Sequence, residues 1–100
     1  MATTTQALAR GAFATSSATL YTVPSSTTTV VTNIAVANTA GSSATFTISL
    51  DGVVLIPAAT IAANTTALFD LKQVLATTKI IAGFASATTV NFHISGVELV

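Results

Sequence analysis

The stretch Ala44-Thr45-Phe46-Thr47-Ile48-Ser49-Leu50-Asp51-Gly52-Val53-Val54-Leu55-Ile56 decides the fold. Ala44, Phe46, Ile48 and Leu50 alternate with Thr45, Thr47 and Ser49. Successive side chains of an extended chain point to opposite faces, so this is a strand with one apolar face and one hydroxyl face. Asp51-Gly52 then leads into a second apolar run. Both central residues of a type I′ turn need positive φ, which Asp and Gly tolerate, so the segment predicts a β-hairpin.

The same period of two extends outward in both directions. Val30, Ile34 and Val36 share a face in Thr28–Asn38. Ala67, Phe69 and Leu71 share one in Thr65–Leu71, as do Ile80, Ala82 and Phe84 in Lys79–Ala85, and Val90, Phe92 and Ile94 in Thr89–Ser95. Thr and Val suit such strands because a branched Cβ packs well on a pleated surface. Turn residues punctuate the runs at Pro24-Ser25-Ser26, Ala40-Gly41-Ser42-Ser43 and Ala62-Ala63-Asn64. Pro57 has no N–H to give a ladder and is predicted at a strand start or sheet edge. Leu71–Thr78 suits either a short helical turn or a loop crossing between sheets. Gly96 predicts a bulge that turns Val97 and Leu99 inward after Ile94. No fixed internal period supports a solenoid. The reading is all-β: a single antiparallel β-sandwich, or jelly roll, of about eight short strands over residues 18–100. Residues 1–17, with isolated Leu8, Arg10 and Phe13 among Ala, Thr and Ser, predict an extended N-terminal arm outside the core.

Composition narrows the function. The 100 residues include three Lys or Arg and three Asp or Glu, a formal net charge of zero. A typical domain is about a quarter charged. With no Cys and one His, a zinc finger, a disulfide framework and a Cys nucleophile are excluded. Three cations cannot neutralise many phosphates, so no nucleic-acid partner is expected. Three scattered carboxylates leave little for acid–base chemistry, and the Ser residues lack a nucleophile-elbow pattern, so no enzyme activity and no cofactor are expected. No run reaches the roughly 18 apolar residues of a membrane helix, so no membrane partner is expected. The start MATTTQALARG lacks the basic and apolar segments of a secretory signal.

His93 alternates with Phe92 and Ile94, which puts it on the outer face with Thr89, Asn91 and Ser95. That row is a candidate interface. Asp70 and Lys72 share a strand face. Asn64-Thr65-Thr66 matches a glycosylation sequon by the chance a Thr-rich chain allows, and the Thr-x-Thr pairs lack the many aligned repeats of an ice-binding array. A monomer normally keeps its outer strand positions charged. Here they are Thr, Ser, Asn and Ala, which a partner can cover without desolvating ions. Much of this surface is expected to be buried in an assembly.

The run Ala18-Thr19-Leu20-Tyr21-Thr22-Val23-Pro24, then Thr27–Ile34 and Ala37-Asn38, resembles the small β-sandwich structural proteins of tailed bacteriophages. Ile61-Ala62-Ala63-Asn64-Thr65 and Phe92-His93-Ile94-Ser95-Gly96-Val97-Glu98 extend the likeness, which spans residues 7–100. These motifs are structural, not catalytic. The resemblance implies a non-enzymatic virion component made in the host cytoplasm, foremost a capsid decoration or cement protein on the outer shell. Its partners would be the major capsid protein and itself, as a dimer or trimer. Leu8, Arg10 and Phe13 would be the arm contacts, with Arg10 suited to a bidentate bond to a capsid carboxylate. The alternatives are a neck, tail or head-fibre component, and a host-glycan binding module.

Overall fold

The computed structural model describes residues 3–100, with side chains from Leu8 onward. Its strands are β1 (Thr3–Ala12), β2 (Ala18–Thr22), β3 (Thr28–Asn38), β4 (Ala44–Leu50), β5 (Val53–Ile61), β6 (Thr65–Leu75), β7 (Ile80–Ala85) and β8 (Val90–Leu99). They form two four-stranded sheets. Sheet I runs β1-β8-β3-β6 and sheet II runs β2-β7-β4-β5. Every pairing is antiparallel. The all-β sandwich is therefore as expected, and its strand order is that of a jelly roll.

The order follows from one turn. Asp51 and Gly52 have φ of 52° and 76°, as a type I′ turn requires. The strands on either side pair outward from that tip as one long ribbon: Leu50 with Val53, Thr29 with Leu75, Ala18 with Gly83, and Thr3 with Leu99. A flat ribbon would leave its apolar face wet. Folding it over lets β3 also pair with β8 and β4 with β7, which closes both sheets around one core. The Asp51 N–H ties the tip back to the Ile80 carbonyl at 2.9 Å.

The core is built from the inward face of each strand. Phe46, Ile48 and Leu50 of β4 meet Val31, Ile34 and Val36 of β3 and Val90, Phe92 and Ile94 of β8, all buried. Burying each such side chain contributes roughly 1.5–3 kcal/mol. Asn38 is buried too, and every polar atom of its amide is engaged: Nδ2 donates to the carbonyls of Ser42, Ile61 and Ala62, and Oδ1 accepts from the Ala40 N–H. One side chain thus joins the β3–β4 loop to the end of β5. Pro57 lies on β5, an edge strand, where its missing N–H costs no ladder bond.

Five expectations are corrected. The segment read as an arm over residues 1–17 is, within the described residues, edge strand β1 hydrogen-bonded along β8, followed by Phe13 in the core; residues 1 and 2 lie outside the description. Its Ala and Thr residues need no apolar stripe because the ladder uses backbone groups alone. In β3 the buried residue is Val31, not Val30, because a register shift at Thr32 reverses the facing. In β7 the inward residues are Ile81, Gly83 and Ala85, so Phe84 faces solvent. In the segment Leu71–Thr78 no helical turn forms: Leu71–Leu75 is the end of β6, and the crossing between sheets falls to residues 76–79. Gly96 carries no bulge of its own: β8 alternates through it, and the shifts lie beside it in β1 and β3.

Candidate interaction faces

The register brings two of the expected residues together. Arg10 of β1 is directly opposite His93 of β8, and directly opposite residues in an antiparallel pair share a face. Both are exposed. Asn91 and Ser95 flank His93 on the same outer face of sheet I. Thr89 is not on that row. It sits in the turn before β8, where its carbonyl accepts from the N–H and the hydroxyl of Thr39 at 3.1 and 2.9 Å. Leu8 is half-buried against the core. Phe13 is only 1% exposed, packed against Phe46 and Phe92 with ring centroids 6.1 and 5.1 Å away. Phe13 therefore cannot act as an external contact in this fold. Of the three residues expected to contact a shell, Arg10 alone stands clear.

The charges are unevenly placed. Asp51 and Lys79 pair at 3.6 Å at the ribbon tip, both well exposed, which contributes little to stability. Asp70 accepts from the Asn33 amide at 3.2 Å on the outer face of sheet I. Arg10 and Lys72 belong to the same sheet. By contrast, no residue of β2, β4, β5 or β7 is charged. The outer face of sheet II presents Thr45, Thr47 and Ser49 beside Ile80, Ala82 and Phe84. Phe84, opposite Thr47 near the centre of this face, is 39% exposed, and Val54 at its edge is 52% exposed. Sequence reasoning missed Phe84 as a surface residue because both parities of β7 are apolar.

One polar cluster joins the sheets. The Tyr21 hydroxyl of β2 donates to the Glu98 carboxylate of β8 and lies 2.9 Å from the Thr29 hydroxyl of β3. Glu98 therefore points towards the opposite sheet while remaining half-buried. Burial, reinforced by the bond to Glu98, pushes the Tyr21 hydroxyl up to about 12, while the Thr29 bond acts in the other direction. A group whose pKa rises on folding adds stability that is complete below its unfolded value, here 10.0, and is lost as pH rises through the folded one. Stability is expected to hold through neutral pH and to decline between about pH 10 and 12. Tyr21 is the only tyrosine. Its ultraviolet ionisation signal should rise together with unfolding, and Tyr21→Phe should flatten that alkaline decline. An unperturbed titration near pH 10 would contradict the cluster.

Among the described residues, no group of three His, Asp or Glu side chains is placed to hold a metal ion. No helix among them is long and apolar enough to cross a membrane. Open clefts of about 430 and 360 Å³ flank β6, the first lined by Thr32, Asp70, Leu71 and Lys72, the second by Leu55, Ile56, Pro57 and Phe69 with Asp70 and Leu71.

No family model matches the chain, and no curated protein matches it. Among solved structures, it is similar to a pentameric capsid protein isolated from metagenomic phage sequences, at 14% identity and a TM-score of 0.37 over 90% of this chain. A second structure of a pentameric capsid protein from metagenomic phage sequences aligns at 12% identity and a TM-score of 0.32, again over 90% of this chain. The chain spans about 60% of the length of each. Likeness at this level carries neither a family nor a function over to the chain.

Proposed function

We propose that the chain is a non-enzymatic virion structural protein, a decoration or cement protein that lies on the outer capsid shell and strengthens contacts between major capsid proteins. The observation that supports this most is the charge-free sheet II, with Phe84 near the centre of its outer face. Covering Thr, Ser, Ala and Phe side chains strips no ion of its water, so such a face can be buried against a lattice at low cost. Many copies, or linked copies, then raise the avidity of individually weak contacts. The phage-like sequence runs around Leu20–Pro24 and Phe92–Glu98 agree with this reading. Arg10 and His93, on the opposite sheet, stay available to solvent or to a neighbouring copy.

A carboxylate in the middle of that face should be poorly tolerated in the bound state only. Phe84→Glu is expected to lower the thermal midpoint of the free protein modestly, since the ring is 39% exposed and the rest of its burial is lost, while the protein stays folded. It should weaken rebinding to stripped particles by at least about tenfold, the cost of burying an unpaired charge. Undiminished occupancy would count against sheet II as the docking face.

A further inference from the structure

β6 is an edge strand of sheet I, bonded to β3 on one side and open on the other. Its even-numbered residues from Thr66 to Val74 are all exposed, as is Gln73, and the register with β3 shifts where Leu71 and Lys72 lie against Thr32. The even-numbered residues include both charges of the strand, Asp70 and Lys72, and two strongly exposed apolar side chains, Leu68 at 71% and Val74 at 68%. These four are arranged symmetrically about Leu71. The outermost pair is aliphatic and the innermost pair is an acid and a base.

Soluble proteins usually blunt a long edge strand, often with Lys, because its free N–H and C=O groups invite another strand. Here the Lys has an Asp two residues away, which changes what the edge repels. Let a second copy of β6 pair antiparallel with the first, with Leu71 opposite Leu71. Asp70 then faces Lys72 of the second copy, and Lys72 faces its Asp70. Leu68 faces Val74, and Val74 faces Leu68. Each favourable pair occurs twice, as a two-fold interface requires. Sliding the register by two residues sets Asp70 against Asp70 in one direction and Lys72 against Lys72 in the other, so the charges select one register. Centring on Leu71 also places the second strand beside the clefts that flank β6.

We propose that β6 is a self-association edge: two copies join by antiparallel β6–β6 pairing centred on Leu71, which makes one continuous eight-stranded sheet from two copies of sheet I. The partner is a second copy of this chain, recognised by the Asp70–Lys72 exchange and the Leu68–Val74 contact. This does not depend on the virion reading, since sheet II stays uncovered.

Sedimentation of the full chain and of three variants tests it. The wild type should sediment as a dimer. Asp70→Lys alone, or Lys72→Asp alone, places like charges opposite each other twice and should raise the dimer dissociation constant at least about tenfold. Asp70→Lys combined with Lys72→Asp restores both pairs and should recover wild-type association. Both positions are exposed, so each variant should keep its fold, checked by circular dichroism and thermal midpoint. A monomeric wild type overturns the proposal. So does an oligomer that neither single reversal weakens, or a loss that the double exchange does not repair.

Discussion

Phe13→Ala is expected to remove about 3–5 kcal/mol of folding stability, the range for deleting a buried aromatic side chain. A domain of this size holds only about 5–15 kcal/mol in total, so the variant should sit near the edge of unfolding. The reason lies in the packing. The Phe13 ring is 1% exposed, 6.1 Å from Phe46 and 5.1 Å from Phe92, and Phe46 in turn meets Phe69 at 6.0 Å. Its N–H donates to the Val90 carbonyl at 2.9 Å, which holds the end of β1 over the core. Without the ring, the wall between the two sheets has a hole that strands cannot close by sliding, because their registers are set by ladders. Denaturant unfolding measures the effect. A loss below about 1 kcal/mol would place Phe13 outside the core and restore the arm reading. For the same reason, removal of residues 1–14 tests the fold and not the attachment of an appendage.

Gly96→Ala is the second severe change, with an expected loss of about 3 kcal/mol or more. The added Cβ would run into the Val30 carbonyl oxygen, and would also lie 3.0 Å from Leu8 Cδ1. Leu8 can rotate away, but the carbonyl belongs to the β3 backbone beside the Thr32 bulge and can move only if the β3–β8 ladder moves with it. Gly41→Ala is the matched control. Its Cβ would meet nothing within 4 Å, so its effect should stay within about 0.5 kcal/mol. A Gly96→Ala variant as stable as that control would mean that β8 and β3 are not as close as described.

These two residues also show where the sequence was legible and where it was not. The Phe46 strand and the Asp51-Gly52 turn carried the architecture, since a turn at the midpoint of a ribbon dictates which strands meet. β8 was equally readable through Ile94 because its alternate positions differ sharply: Phe92 and Ile94 against Asn91 and His93. β7 was not. Ile80, Ala82 and Phe84 alternate as well as Ile81, Gly83 and Ala85 do, and the choice is made by tertiary contact. A Cβ at position 83 would lie 2.8 Å from the Thr47 carbonyl oxygen and 3.0 Å from the Phe13 ring, so only glycine fits beneath that ring. The opposite parity would force Ala82 or Phe84 into that space. In β3, Val30 and Val31 are chemically identical, so no local pattern could reveal a bulge at Thr32. Leu8, Arg10 and Phe13 looked like isolated contacts because β1 is held by backbone pairing that composition does not record. Of the interface residues, His93, Asn91 and Ser95 were placed by alternation alone, and Arg10 joined them only through the β1–β8 register. The uncharged composition was plain from the start. That sheet II holds none of the charges became visible only once the strands were sorted between sheets.

As proposed above, this jelly roll would lie on a capsid with sheet II turned towards the shell. Cryo-electron microscopy of purified particles tests it most directly. Density for the chain is expected at many symmetry-related positions on the outer shell, with the Phe84 face against major capsid protein. A shell without this density, or a few copies confined to the neck, tail or a fibre, would contradict it.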